Sequence, residues 1–174
     1  IIYNFLVYVV IILSPLIIIY RIIKKKENPK RFLEKFSINK KERKKGKLIW
    51  FHCSSVGELL SIVPLIQEFE KIKSIKQILV TTSTLSSSKI FGKFRFKKIS
   101  HQFYPLDNIH IVNNFLNYWE PSSVFFVESE IWPTMVSELN NRKIKILLIN
   151  ARMSEKSFKR WFKIRYFGKN ILEK

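Results

Sequence analysis

Residues 48–60 join an apolar run to a helix start, and this restricts the fold more than any other stretch of the chain. The segment reads Leu-Ile-Trp-Phe-His-Cys-Ser-Ser-Val-Gly-Glu-Leu-Leu. Its first four residues have the β-branched and aromatic character of a buried strand. Small polar residues follow, and after Glu58 apolar residues recur at helical spacing as far as Phe69. The pattern predicts a strand, a tight turn and a helix, and in an open α/β sheet such a junction faces the ligand crevice.

Glu58 has two interpretations at this junction. Residues 55–58 fit the Ser-x-x-Glu pattern of a capping box, in which each side chain accepts a hydrogen bond from a free backbone N–H group. Alternatively, Glu58 is a general base, because a carboxylate at a helix N-terminus faces the crevice and can take a proton from a hydroxyl nucleophile. The two roles are compatible, but a carboxylate held by its own cap is the poorer base.

The N-terminal residues predict a membrane anchor. Residues 1–23 are almost entirely apolar, and about 20 such residues cross a bilayer core. A buried core helix is the alternative, whereas a cleaved signal peptide is disfavoured because no basic residue precedes the run. Residues 24–47 follow as a basic juxtamembrane linker, and their lysine and arginine content places this side of the anchor in the cytoplasm.

The charge of the chain favours anionic partners. Among 174 residues, 32 are Lys or Arg and 13 are Asp or Glu, giving a net charge of +19. Phospholipid surfaces, phosphorylated substrates and nucleic acids all suit such a charge, although biased codon usage would also enrich lysine. The 47% hydrophobic content excludes a disordered chain, and the single cysteine excludes an internal disulfide framework.

From residue 48 onward, apolar strands alternate with helical patterns across short connections. Strands are predicted at residues 48–51, 77–82, 101–104, 123–127 and 145–149, and helices at 109–119, from 133 to about 141, and from 154. This alternation predicts an α/β fold for residues 48–174, with a Rossmann-like parallel sheet and helices on both faces. The chain contains no Gly-x-Gly-x-x-Gly fingerprint, Cys/His cluster or nucleophile elbow.

Two segments before the third strand are polar or basic. Residues 81–88 form a hydroxyl-rich turn that either hydrogen-bonds a phosphate or sugar or caps the next helix. Residues 89–98 interleave phenylalanine with lysine and arginine, a pattern that suits nucleic acid or a membrane interface. An ordinary amphipathic helix gives the same pattern.

Two acids lie just after apolar strands, Glu58 after the first and Glu128 directly after residues 123–127. In a parallel sheet both carboxylates would lie at the carboxyl edge and could share a crevice. A buried acid needs a partner, which Asn150 or Arg152 at the next strand end can supply. A purely structural hydrogen-bond network is the alternative.

Four motifs occur in order along the chain. They are His-Cys-Ser-Ser-Val-Gly-Glu at 52–58, Tyr-Pro-Leu-Asp at 104–107, Glu-Ser-Glu-Ile-Trp-Pro at 128–133 and Asn-Ala-Arg-Met-Ser at 150–154. Together they resemble the N-terminal half of the 3-deoxy-D-manno-octulosonic acid (Kdo) transferases, glycosyltransferases of lipopolysaccharide synthesis. The resemblance covers nearly the whole chain.

The resemblance implies a GT-B architecture, in which this domain takes the lipid A precursor lipid IVA and a C-terminal domain, which this chain does not include, holds CMP-Kdo. It implies inverting transfer without metal or cofactor, at an anionic membrane surface on the cytoplasmic face of the inner membrane, with no nucleic acid as partner. The proton acceptor then falls on Glu58, and transition-state stabilisation falls on Glu128. The expected substrate-binding residues are Ser54, Ser55, Gly57, Thr84, Glu130, Asn150 and Arg152. We expect this half to be inactive alone.

Three positions depart from the family pattern. Ser86 and Ser87 stand where Thr-Gly is usual, and Ile131 replaces the usual leucine. If that glycine permits close backbone approach to the acceptor, Ser87 narrows the site. Two other functions stay open: a GT-B enzyme that uses a different nucleotide sugar on a membrane lipid, and a membrane-tethered basic domain that binds an anionic polymer.

Overall fold

The structure, a computed structural model, describes residues 2–38, 41–128 and 132–151. The strands are β1 Lys47–Cys53, β2 Ile75–Thr82, β3 Ile99–Phe103, β4 Ser123–Val127 and β5 Lys145–Ile149. The helices are α1 Ile2–Ile23, the 3-10 helix Phe32–Phe36, α2 Val56–Lys71, α3 Leu85–Phe91, α4 Ile109–Trp119 and α5 Pro133–Asn141. The strands form one five-stranded parallel sheet in the order β3-β2-β1-β4-β5. The predicted α/β class with a parallel, Rossmann-like sheet is confirmed.

Side chains along β1 alternate between two apolar cores. Leu48 and Trp50 pack with residues of α4 and α5. Ile49 and Phe51 pack with residues of α2 and α3 on the opposite face of the sheet. Because helices cover both faces of the sheet, the strand is buried on both sides and its sequence is a continuous apolar run.

The strand order creates a switch point in the middle of the sheet. From β1 the chain proceeds outward through β2 to β3, and α4 then carries it back to β4 on the other side of β1. The winding therefore reverses between β1 and β4. In open α/β sheets, ligands bind in the crevice at the carboxyl ends of the strands that flank such a reversal.

Residues 89–98 do not form a single amphipathic helix, because α3 ends at Phe91. The ring of Phe96 lies 5.6 Å from the ring of Phe91 and 5.6 Å from that of Phe94. The rings are half-buried, and the exposed basic residues of the segment are Lys89, Lys93, Arg95 and Lys97. The phenylalanine side chains of this segment therefore pack against one another, whereas its exposed basic side chains contribute charge to the surface.

Helix α1 carries apolar residues on all sides and presents many of them to solvent. The exposed large apolar residues on it are Tyr8, Val9, Val10, Ile12, Leu13, Leu16, Ile17, Ile19, Tyr20 and Ile23. Near its N-terminus, the Tyr3 hydroxyl donates a hydrogen bond to the Asp107 carboxylate. None of the helices within the described residues is long and apolar enough to span a membrane. The predicted membrane-spanning helix is therefore unsupported.

Residues 27–38, called the strap below, lie along the sheet edge formed by β3. Arg31 makes a bidentate ion pair with Glu34, at 2.7 and 2.8 Å, and its guanidinium lies 2.8 Å from Nδ1 of His101. The Glu34 carboxylate also accepts a hydrogen bond from the backbone N–H of Phe103 at 2.9 Å. The strap thus covers an edge strand whose hydrogen-bonding groups would otherwise be exposed.

Glu27 joins the end of α1 to the strap. Its buried carboxylate lies 2.5 Å from Nζ of Lys35 and 3.1 Å from Nε of Arg21. Burial opposes ionisation, but the hydrogen bonds and charges of Lys35 and Arg21 hold the pKa of Glu27 below its usual range. The carboxylate is therefore charged at neutral pH and links Arg21, near the end of α1, to Lys35 in the strap.

Candidate active site

Motifs that are distant in sequence meet beneath the carboxyl edge of the sheet. The rings of His52, in β1, and Tyr104, just after β3, stack with centroids 3.9 Å apart. Tyr104 also lies 5.7 Å from the ring of Trp132. Nδ1 of His52 lies 3.0 Å from Oγ1 of Thr81, and His52 is fully buried. The histidine is therefore packed beneath the carboxyl edge of the sheet.

The two candidate acids lie on either side of the switch point. In the β1–β4 pair His52 is opposite Phe126, so the residues after Cys53 and Val127 leave the sheet at neighbouring strand ends. Glu128 follows Val127 directly, and Glu58 lies in the first turn of α2 after β1. The topology thus brings both acids to one edge, in the place that a ligand occupies in sheets of this kind.

Glu58 forms the capping box that its sequence context allows. Its Oε2 accepts a hydrogen bond from the backbone N–H of Ser54 at 2.7 Å, and its Oε1 accepts one from that of Ser55 at 3.2 Å. In return, Oγ of Ser55 accepts from the backbone N–H of Glu58 at 3.2 Å. The glutamate is buried, with 7% of its surface exposed. The structural interpretation of Glu58 is therefore correct, and the base role stays a prediction.

The expected substrate-binding residues of this loop have differing exposure. Ser55 and Gly57 are exposed, whereas Ser54 is half-buried. A Cβ atom added at Gly57 would meet only Oγ of Ser55, at an ordinary 3.9 Å. Local packing therefore does not require glycine at position 57. The open space beside it lies at the helix N-terminus, where a ligand could approach the backbone.

The hydroxyl-rich turn is a helix cap. Thr84 is the N-cap of α3, and its Oγ1 accepts from the backbone N–H of Ser87 at 3.1 Å. Thr84 is exposed. The capping alternative for this turn is therefore confirmed, and binding of a substrate by Thr84 stays a prediction.

Glu128 and Asn150 share an unusual backbone conformation. Both residues follow a strand directly, and both are left-handed, with φ of 60° and 52°. The Glu128 N–H donates to the carbonyl of Ile149 at 2.9 Å, which extends the β4–β5 pairing into this turn. Left-handed backbone is uncommon outside glycine, and strain of this kind concentrates at functional sites.

The side chains of Glu128 and Asn150 do not pair as predicted. Glu128 is half-buried and Asn150 is exposed. Within the described ranges, no hydrogen bond joins the two side chains, and no donor reaches the Glu128 carboxylate. Glu130 and Arg152 lie outside the described residues, as does the predicted helical tail. No group of three or more His, Cys, Asp or Glu in the described part of the chain could hold a metal ion.

Asp107 has a structural role that the sequence did not reveal. Its Oδ2 accepts from the backbone N–H of Thr134 and its Oδ1 from that of Met135, both at 2.9 Å. Oγ1 of Thr134 donates in turn to the Asp107 carbonyl at 3.0 Å. Asp107 therefore caps α5, which has no side-chain cap of its own, and fixes the helix that follows the Glu128 motif. In the sequence, only its place in the Tyr-Pro-Leu-Asp motif indicated that Asp107 has a specific role.

Comparison with known proteins places the chain in a family. Residues 30–174 match the family described as 3-deoxy-D-manno-octulosonic-acid transferase (kdotransferase). The chain belongs to this Kdo transferase family. The resemblance inferred from the four motifs is thus confirmed.

Curated relatives of the Kdo transferase family cover most of this chain. The 3-deoxy-D-manno-octulosonic acid transferase of Rickettsia bellii is 37% identical over 98% of this chain and 41% of its own length. That of Rickettsia felis is 44% identical over 72% of this chain and 27% of its own length. The probable mitochondrial 3-deoxy-D-manno-octulosonic acid transferase of Arabidopsis thaliana is 38% identical over 85% of this chain and 34% of its own length. The chain thus spans less than half the length of these relatives.

Proposed function

We propose that the protein containing this chain transfers Kdo from CMP-Kdo to a hydroxyl group of the lipid A precursor lipid IVA, and that this chain forms the acceptor side. One observation carries the proposal: Glu58 and Glu128 flank the switch point of the sheet. Support for Kdo as the transferred sugar comes from the family match and from the names of the relatives.

The proposed reaction is a direct displacement. An acceptor hydroxyl oxygen attacks the anomeric carbon of Kdo from the face opposite CMP while its proton passes to the Glu58 carboxylate. The new C–O bond forms as the bond from that carbon to the CMP phosphate oxygen breaks, and CMP leaves with the electron pair. Attack from the opposite face inverts the anomeric centre. Base assistance of this kind contributes about 10²–10⁴-fold to the rate.

The capping box is compatible with this role for Glu58. A carboxylate offers about four lone-pair positions, and the N–H groups of Ser54 and Ser55 occupy two of them. The others are available to a hydroxyl group. A carboxylate fixed by two backbone donors also loses little further freedom when the acceptor binds, which favours a productive geometry.

Glu128 has a different role in the proposal. Displacement at an anomeric carbon passes through a transition state with oxocarbenium character, in which the sugar ring gains positive charge. A fixed carboxylate near that ring stabilises the charge. The left-handed backbone of Glu128, held by the bond to Ile149, supports such a fixed position.

We also propose that the acceptor is reached at an anionic membrane surface, on the cytoplasmic face of the inner membrane. The exposed apolar residues of α1 continue directly into exposed Lys24, Lys25 and Lys26. Apolar side chains enter the headgroup boundary, and each nearby lysine adds roughly 1 kcal/mol on an anionic surface. Co-sedimentation should be strong with phosphatidylglycerol vesicles and weak with phosphatidylcholine vesicles. Equal binding to both would contradict the charge contribution.

The donor can be tested with the full-length protein encoded by the reading frame that contains this chain. Purified protein should be incubated with lipid IVA and, in parallel, with CMP-Kdo, UDP-glucose or UDP-N-acetylglucosamine, and the products identified by mass spectrometry. Transfer from CMP-Kdo alone is expected. Transfer from a UDP-sugar would assign the protein to another nucleotide-sugar glycosyltransferase, and no transfer from any donor would overturn the proposal.

A further inference from the structure

Ser87 is a buried polar residue that the proposed reaction does not use. It lies in the first turn of α3, and its side chain is fully buried. Its Oγ donates a hydrogen bond to the backbone carbonyl of Ser54 at 3.2 Å, and the same Oγ lies 2.6 Å from Oγ1 of Thr84. The side chain thus faces the loop after β1. It does not project into open space, as it would if it narrowed the acceptor site.

Both backbone polar groups of Ser54 therefore make hydrogen bonds. Its carbonyl accepts from Ser87, and its N–H donates to Oε2 of Glu58 at 2.7 Å. The bond to Glu58 is the shorter of the two hydrogen bonds that the carboxylate accepts from this loop. A shift of Ser54 would consequently move the donor on which the position of the Glu58 carboxylate depends.

We propose that Ser87 is a positioning residue, which fixes the Glu58 carboxylate through the backbone of Ser54. The inference deepens the proposed function and rests on it, since it assumes that Glu58 is the base. Ser87 itself touches neither the acceptor nor the donor. Its hydroxyl anchors the loop to α3, and the loop orients the carboxylate.

The neighbouring residue provides a matched control. Oγ of Ser88 accepts a hydrogen bond from Nη1 of Arg31 at 3.1 Å, so it faces the strap and not the Glu58 loop. Ser87→Ala and Ser88→Ala each remove one hydroxyl and one long-range hydrogen bond from the same turn of α3, and Ser87→Ala also removes the contact with Oγ1 of Thr84. Only the first change releases Ser54.

Steady-state kinetics of the full-length protein test the inference. Ser87→Ala should lower kcat by about tenfold, which corresponds to the loss of one ordinary hydrogen bond, and change both KM values by less than about twofold. Ser88→Ala should leave kcat within about twofold of the wild type. Ser87→Cys replaces the hydroxyl with a thiol in a side chain of the same shape, and a thiol is a weak donor, so this variant should fold and show a similar fall in kcat if Ser87→Ala is unstable. Equal losses of kcat in the Ser87 and Ser88 variants would overturn the inference.

A second measurement separates this inference from the proposed function. Amide hydrogen exchange at Ser54 and Ser55 should be faster in Ser87→Ala and unchanged in Ser88→Ala, and this readout does not depend on catalysis. In a Glu58→Gln background, Ser87→Ala should lower kcat no further, because its effect passes through the carboxylate. A further tenfold fall there, or unchanged exchange at both amides, would overturn the positioning role. Full activity of Glu58→Gln by itself would instead overturn the base role.

Discussion

Glu58, in the first turn of α2, and Glu128, directly after β4, lie beyond the carboxyl ends of adjacent strands but are fixed by different means. Two backbone N–H groups from its own loop hold the Glu58 carboxylate, within a capping box that four consecutive residues encode. Glu128 is held by its left-handed backbone and by a bond from its N–H to Ile149, more than twenty residues further along the chain. The first arrangement depends on local sequence and the second on the assembled sheet. Substitution at the two acids should therefore have different consequences.

Substitution of Glu128 should affect catalysis strongly and stability very little. Glu128→Gln should lower kcat of the full-length protein by about 10²–10³-fold, the usual cost of removing one electrostatic contact to a transition state. The free energy of unfolding should be unchanged, because no donor in the described residues binds this carboxylate. Steady-state kinetics and urea unfolding measure the two quantities. A kcat close to that of the wild type would remove Glu128 from the proposed reaction.

Acidification should loosen β3 and the strap before β4 and β5. Burial, reinforced by the charges of Arg31 and Lys41, lowers the pKa of His101 from 6.5 to about 3. Between those values the unfolded chain binds a proton that the folded chain does not, so stability falls as the pH decreases through this range. The expected loss between pH 7 and pH 5 is about 1–2 kcal/mol.

His101→Gln should remove most of this pH dependence, as measured by urea unfolding at both pH values. In the wild type at pH 5, hydrogen exchange should increase first at β3 and the strap, and should change least in β4 and β5. Uniform acceleration across the sheet, or an unchanged pH dependence in His101→Gln, would contradict this explanation.

Matched alanine substitutions give the smallest expected difference. Glu58→Ala removes the acceptor for two backbone N–H groups and should cost about 1 kcal/mol of unfolding free energy, as expected for a lost helix cap. Glu128→Ala should change it by less than about 0.5 kcal/mol. Thermal or urea unfolding of the two variants side by side measures the difference. Equal destabilisation would show that the two acids are held in the same way.

Much of the fold could be predicted because the relevant signals are local. The predicted helix 109–119 and the predicted strands 123–127 and 145–149 have the bounds of the observed elements. Each of these strands is an apolar run that a helix covers, and turn residues or a proline separate the elements. The capping box at Glu58 could likewise be predicted from the sequence, because its partners lie within four residues of one another.

The remaining features depend on contacts between distant parts of the chain. Arg31 contacts His101, which lies seventy residues further along the chain. Composition carries no signal of such a contact, so the sequence predicted only that the strap is part of a basic linker. The contact of Ser87 with Ser54 spans thirty-three residues, and the cap that Asp107 provides for α5 spans a similar distance. The left-handed conformation of Glu128 has no signal in the sequence, because glutamate rarely adopts it.

The most direct test of the account is the turnover of Glu58→Gln in the full-length protein, with CMP-Kdo and lipid IVA as substrates. Glutamine also suits the third helical position of a capping box, so the variant should fold and keep most of its stability. Glu68→Gln, an exposed glutamate on the same helix that pairs with Lys71, is the matched control. We expect kcat to fall about 10²–10⁴-fold in Glu58→Gln and to stay unchanged in Glu68→Gln. Wild-type turnover by a folded Glu58→Gln would contradict the claim that this carboxylate accepts the proton of the acceptor.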